Sequence, residues 1–261
     1  MPGDRINSES MASICEVSKM KFREIIFGHG LNDLGVSVRV KALTPEEAIG
    51  EPGRRDFPII TGKETVIEAS IPGAVAHAYT DSPGEFEGKL SEILNLPLTA
   101  NKRRAIYIAS LNAALRYLNL IEKTIHCRDE EPENCAKAIS AHIQEMWGKV
   151  NVGLIGLNPA IAATLVDTFG KQAVLITDLN KQNIKCSKYG VPIWDGNAMT
   201  GDLIEQSDVI LITGTTFVNS TFDYILSCIQ KYGKNYLVYG VTGAGICKLM
   251  GLNRICPYGR N

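Results

Sequence analysis

The short apolar segments after residue 150 constrain the fold more than any other feature of the chain. "KVNVGLIG", "AVLITD", "DVILITG" and "NYLVYG" are each almost continuously apolar, as strands become when both faces of their sheet are covered. "PAIAATLVDTF", "TGDLIEQ" and "NSTFDYILSCIQKY" read as the helices that alternate with them. Such alternation predicts a doubly wound parallel sheet.

The first half carries a different pattern. It reads as helix, strands, then helices: after a polar start through "NSESMASICEVSKM", extended runs at "FREIIFGHG", "GVSVRVKAL", "TVIEASI" and "AVAHAYTD" predict a small, mostly antiparallel sheet. "LTPEEAIGEPGRRDFPIITGKE" is rich in proline, glycine and charge, which marks a long surface loop: a lid, a binding edge or a disordered segment. "NKRRAIYIASLNAALRYLNL" is apolar or small almost all round and predicts a helix buried on most sides within its own domain. Asn112 inside it reads as a core amide bonded to nearby backbone. A second helix is expected from about Pro132 to Met146, leading into the parallel-sheet half. The expected organisation is α/β, with a small α+β domain over residues 1–147 followed by a parallel-sheet domain over 148–261. A chain of 261 residues is ample for the cores this requires.

Charge and cysteine usage narrow the partners. A formal net charge of −1 provides no basic field for nucleic acid or an anionic membrane surface. No stretch is apolar for the length a membrane span needs, and the first residues do not read as a leader. Seven scattered cysteines, an odd number, fit reduced thiols in a cytoplasmic protein. Of these, Cys228 in "YILSCIQ" and Cys15 in "ASICEVS" read as small core hydrophobes. Assembly into a homo-oligomer is left open.

Parallel sheets bind ligands beyond the carboxyl ends of their strands, and here those ends are small, hydroxylated or glycine. The first ends in "GLIGLNPA", with Gly156 and Asn158 ahead of a helix that Pro159 can open; it departs from the glycine fingerprint of dinucleotide sites. The second ends at Asp178, placed either to accept from ribose hydroxyls or to act as a turn residue. The third, "ITGTTFVNST", brings Thr213, Gly214, Thr215, Thr216, Asn219, Ser220 and Thr221 near a helix start, where amides and hydroxyls suit an anionic or polar ligand group. No histidine follows residue 142 to make any of these hydroxyls a nucleophile. A fourth end, "YGVTGAGI", adds Thr242, Gly243 and Gly245.

"TIHCRDEEPENCA" offers His126, Cys127 and Cys135, donors that suit zinc, iron or copper better than magnesium or calcium. It is not a paired-cysteine knuckle. The competing reading is structural thiols beside an acidic helix start at Pro132 and Glu133. His29, between glycines, and His77, ahead of Asp81, read either as locally satisfied groups or as contributors to a site across the domain boundary.

With these residues in view, "DVILITGTTFVNSTFDYIL", the "VGLIG" turn followed by "DLN", and "RRAIYIASLNAALRYLNL" leading to "TIHCRDEEPENCA" resemble the family labelled "putative heavy-metal chelation", over nearly all of residues 15 to 256. The resemblance implies an enolase N-terminal-like domain followed by a Rossmann-like domain, with a ligand site in the cleft between them. It also implies a transition metal ion, bound directly or as a small-molecule chelate, with His126, Cys127 and Cys135 as its protein ligands. Two alternatives stand beside this binding role. One is a transferase or lyase acting on an adenosine-containing or phosphorylated substrate; the other is an interaction subunit without small-molecule chemistry.

Overall fold

The computed structural model describes residues 12–31 and 37–261. The first residues of "NSESMASICEVSKM" and of "GVSVRVKAL" lie outside that range. The chain opens with α1 (Ile14–Gly28), followed by β1 (Ser37–Leu43), α2 (Pro45–Ile49), β2 (Thr65–Ile71), β3 (Ala74–Thr80), β4 (Phe86–Lys89) and α3 (Leu90–Leu94). Two long helices come next, α4 (Asn101–Tyr117) and α5 (Glu131–Trp147). The second half runs β5 (Val152–Ile155), α6 (Pro159–Phe169), β6 (Val174–Asp178), β7 (Ser187–Lys188), β8 (Val191–Asp195), α7 (Gly196–Gln206), β9 (Val209–Thr213), α8 (Thr215–Val218), α9 (Phe222–Tyr232), β10 (Asn235–Tyr239), α10 (Ala244–Met250) and β11 (Arg254–Ile255).

The strands form two sheets. The first has the order β3-β2-β1-β4 and is antiparallel throughout. The second has the order β11-β10-β9-β5-β6-β8-β7, and only the β7–β8 pair is antiparallel. Going outward from β5, one branch runs through β6 to β8 and the other through β9 to β10, so the winding reverses between β5 and β9. A crevice beyond the carboxyl ends of the strands is expected there. Along β9 the side chains alternate between two cores: Ile210 and Ile212 join one and Val209 and Leu211 the other, so both sheet faces are covered.

Beyond the short elements α2, inside the expected loop, and β4 and α3, two segments differ from the sequence reading. "FREIIFGHG" is the second half of α1, where Ile14, Cys15, Ser18, Phe22 and Ile26 make one buried stripe. That spacing follows a helical period rather than the alternation of a strand. Ser13 caps the start by accepting from the Glu16 amide, and His29 closes the end with Nδ1 2.9 Å from the Ile25 carbonyl oxygen. The second difference is β8 in "VPIWD", a strand without a sequence signal because Pro192 interrupts its ladder; Pro192 sits near the sheet edge, opposite Ser187.

Helix α4 joins the two sheets. Every residue from Arg104 to Leu115 is buried; one side rests on β2 and β3 and the other on α8 and α10. Its apolar circumference is therefore explained by burial between the two halves, not by a core of its own domain. Asn112, at 0% exposure, donates from Nδ2 to the carbonyls of Val241 (3.2 Å) and Thr242 (3.1 Å) and accepts from the Gly245 amide (2.7 Å). A Cβ on Gly245 would stand 2.7 Å from Asn112 Oδ1, so only glycine admits this approach of α10 to α4. On the opposite face of the parallel sheet, α5 packs along α6.

Asn112→Ala leaves the Thr242 carbonyl and the Gly245 amide without their Asn112 partners, while the Val241 carbonyl keeps only the Ala244 amide. We expect a loss of about 3 kcal/mol in unfolding free energy, the scale of buried polar groups stripped of hydrogen bonds, measurable by urea denaturation. A change under about 0.5 kcal/mol, the range of neutral surface substitutions, contradicts this clamp.

Candidate functional site: a cavity across the two sheets

One cavity of about 610 Å³ opens over the carboxyl ends of β5, β6, β9 and β10. Its far walls are Tyr79, Thr80 and Asp81 at the end of β3, the loop carrying Phe57, Pro58 and Ile59, and the segment His126–Cys127 with Cys135 on α5. The proline- and glycine-rich loop thus supplies one wall of the cavity, anchored by the buried side chains of Phe57 and Ile59.

Gly156, Asn158, Asp178, Thr213, Gly214, Thr215, Thr216, Asn219, Thr242, His126, Cys127 and Cys135 all line this one space. Gly243 is outside the wall: a Cβ there would meet Phe217 and Val238 at 3.1 Å, which places it in the packing behind. His77 and His29 also stay out. His77, 3% exposed, has Nε2 3.5 Å from Glu68 Oε2 and accepts at Nδ1 from the His126 amide, whereas Asp81 does join the cavity.

Much of the strand-end polarity is spent within the protein. Asp178 accepts from the amides of Leu157 (2.8 Å) and Asn180 (2.6 Å), locking the turn after β5 to its own. Asn158 caps α6 through the Ala160 and Ile161 amides. Gly156 has φ +87, and a Cβ there would lie 2.5 Å from Thr213 Cγ2, so backbone conformation and close contact both demand glycine. Thr213 and Thr215 share a hydrogen bond of 3.1 Å, Thr216 donates to the Thr213 carbonyl, and Asn219 accepts from Thr221. Thr215 and Thr216 open only the single turn α8, too short to gather a helix dipole, while the helix expected from "NSTFDYILSCIQKY" is α9, which starts at Phe222 with Thr221 at its N-cap. Tyr79 N donates to Thr242 Oγ1 at 3.0 Å and so stitches β3 to the rim.

The "TIHCRDEEPENCA" loop is held from three sides. Ile125 bridges Arg260, whose guanidinium pairs with Glu131 at 2.9 and 3.0 Å. Asp129 donates its amide to Ile49 O and accepts from Glu51 N, while Arg254 donates to the Lys123 carbonyl. Its acidic residues therefore tie the loop down as well as opening α5.

His126 Nδ1 lies 2.6 Å from the Cys127 carbonyl oxygen. A carbonyl only accepts, so Nδ1 carries the proton and Nε2 keeps a free lone pair. Burial lowers the ring's pKa to about 4 and keeps it neutral. Tyr79 meets it edge to face at 5.2 Å between ring centres. Cys127 hydrogen bonds to Cys135, which raises the pKa of Cys127 and lowers that of Cys135; the Tyr258 amide, Lys123 and Arg254 lower Cys135 further. Cys135 is thus the more acidic of the two thiols, and Cys127 the one that holds its proton.

Cys256 and Glu64 are among the wall residues that sequence reasoning missed. Cys256 brings a third sulfur to the same wall, and only a cysteine count could have hinted at it. Glu64, the last residue of the charged loop, faces the cavity with its pKa raised to about 7 by burial, then by Asp178 and Asp81. No local motif sets it apart from the loop's other acids. Among the described residues no group of three or more His, Cys, Asp or Glu side chains is arranged to hold a metal ion by itself.

Residues 141–247 match the family model DUF364, described as "Putative heavy-metal chelation". The fold is similar to the crystal structure of a DUF364-family protein of unknown function from Pyrococcus horikoshii. That likeness has 18% identity and a TM-score of 0.52, covering 88% of this chain and 80% of that one. A second DUF364-family protein of unknown function, from Desulfitobacterium hafniense DCB-2, matches at 12% identity and a TM-score of 0.47 over 72% of each chain. At these identities the first likeness speaks to the fold alone. No curated protein matches the sequence.

Glu64 makes stability depend on pH. Its folded pKa, about 7, lies above its ordinary value of 4.5. The stability it contributes is therefore complete below 4.5 and lost as pH rises through 7. Glu64→Gln mimics the protonated form and escapes this loss. Thermal melts should show the variant gaining on the wild type between pH 5 and pH 8; a difference independent of pH would mean that Glu64 does not titrate in this window.

Proposed function

We propose that this protein, whose residues 141–247 match the DUF364 family model, binds a transition metal in the form of a small-molecule chelate. The observation that carries this reading is the meeting of soft donors and polar strand ends around one cavity of about 610 Å³. That volume falls in the range of small-molecule sites and is far larger than a bare ion requires. Thiolate and imidazole favour zinc, copper or iron over magnesium or calcium. Cys127 and Cys135 would supply sulfur and His126 its Nε2, the ring being held in the right tautomer by the Cys127 carbonyl, as ligating histidines commonly are. The described side chains do not complete a coordination sphere alone, so the remaining positions fall to the chelating molecule.

In this reading residues 1–147 form the enolase N-terminal-like half and 148–261 the Rossmann-like half, with the ligand between them. The 3-2-1-4-5-6 order of the parallel strands, counted from β5, supports the second assignment. The exposed amides and hydroxyls left on the Thr213–Asn219 rim would receive polar groups of the chelate. All seven cysteines are free and no described helix is long and apolar enough to cross a membrane, which is compatible with a reducing, cytoplasmic setting.

One observation favours the enzymatic alternative: Glu64 provides an acid–base group near neutral pH inside the cavity. Against a nucleotide substrate stands the commitment of Asp178 to backbone amides. Calorimetry with nucleotides separates the two, since the enzyme reading requires binding that weakens in Asp178→Ala.

The metal reading is tested by elemental analysis of protein purified without oxygen or chelators, beside Cys127→Ser/Cys135→Ser. We expect bound metal in the wild type and a loss of about tenfold or more in affinity in the variant. Cys228→Ser, a cysteine removed from the cavity, should retain the metal. Unchanged metal content in the folded double variant defeats the ligand assignment.

A further inference from the structure

The cavity has a second chemical character at its acidic end. Three carboxyl groups from separate elements lie there: Glu64 just before β2, Asp81 just after β3 and Asp178 closing β6. Their mutual influence is direct, because Asp178 and Asp81 both raise the pKa of Glu64. Tyr79 and Tyr239, neutral phenols in the same wall, each feel Glu64 in turn. One lysine, Lys63, faces this space against the three carboxyl groups, and it is bonded to Asn183 Oδ1 at 3.1 Å. Negative charge therefore exceeds positive charge at this end. Beside Asp178 a second observation asks for a ligand: Thr177, at 0% exposure, lines the cavity and its Oγ1 has no hydrogen-bond partner.

We propose that this end is a subsite for a protonated aliphatic amine on the bound small molecule, with Glu64 as its principal counter-ion and Asp81 and Asp178 contributing field. The inference rests on the cavity being a small-molecule site, but not on the thiol wall holding metal. A hard divalent cation fits less well. It needs several oxygen ligands with open lone pairs, whereas Asp178 already accepts from Leu157 and Asn180, and Asp81 from Asn101 at 3.0 and 3.1 Å. An ammonium group needs charge and a few acceptors, among which the Thr177 hydroxyl is spare. The apolar lining from Phe57, Ile59, Ile155, Ile161 and Ile225 suits the carbon chain of an amine.

Binding is coupled to a proton. Glu64 is largely protonated below its pKa of about 7 and ionised above it, while an aliphatic ammonium stays charged to a pH of about 10. Affinity for the cation should rise by about tenfold between pH 6 and pH 8, as the ionised fraction of such a carboxyl does.

The probes are n-butylammonium and its neutral counterpart n-butanol, titrated calorimetrically into the full chain at pH 6 and pH 8. We expect tighter binding of the ammonium at pH 8, the predicted pH dependence for it alone, and loss of that dependence in Glu64→Gln. Thr177→Val, which leaves the charges in place, should weaken ammonium binding while keeping its pH dependence. Equal binding of the two probes at pH 8, or a pH dependence that survives Glu64→Gln, overturns the proposal; the probe comparison in the wild type stands even if the variants misfold. Metal content is read separately, by elemental analysis of the same protein, so failure of the metal reading leaves this subsite standing. Amine failure with metal retained removes only the subsite.

Discussion

The double-sided burial of α4 is the constraint on which the rest of the structure depends. A helix covered by β2 and β3 on one side and by α8 and α10 on the other cannot move relative to either half without exposing apolar surface. Asn112 adds direction to that contact. Its three hydrogen bonds to residues 241–245 fix the turn after β10 against the helix. Because the same turn carries Thr242, which accepts from Tyr79 N, the rim of the parallel sheet is registered against the end of β3. Two halves with different architectures thus share one cavity wall as a consequence of core packing.

The same frame explains how much could be read in advance. The parallel strands were legible because complete burial demands nearly continuous apolar runs, and their ends were legible because small and hydroxylated residues gather where strands stop. The antiparallel sheet was legible at β2 and β3 from alternation. Residues 22–28 misled because Phe22, Ile25 and Ile26 have strong strand propensity, while the partners that complete the helical stripe lie a turn or more upstream, at Cys15 and Ser18. Pro192 hid β8 for the opposite reason: it breaks a pattern in a strand near the sheet edge that tolerates the break.

At the site, residue types were legible and their obligations were not. Asp178 and Asn158 sit where the strand-end rule puts them, yet both serve the backbone of adjoining turns. Gly243 belongs to the same motif as Thr242 but faces the packing behind it. Conversely Glu64 and Cys256 carry no local signature. One comes from a loop crowded with acids and the other from residues after the last strand, and both reach the cavity only through tertiary folding. A sequence motif records what a segment can do locally; which of its polar atoms remain uncommitted depends on partners distant in the chain.

The two ends of the cavity make opposite demands on whatever fills it. On the thiol wall burial has driven His126 to its neutral form and Cys127 holds its proton, leaving lone pairs of soft atoms that favour an electrophilic partner. At the acidic end burial and like charge hold Glu64 near half-ionisation at neutral pH, a state that a cation relieves. At the acidic end negative charge exceeds positive charge, and apolar residues line the space between the two ends. A ligand that is electron-poor at one end, cationic at the other and carbon-rich between would satisfy all three surfaces at once.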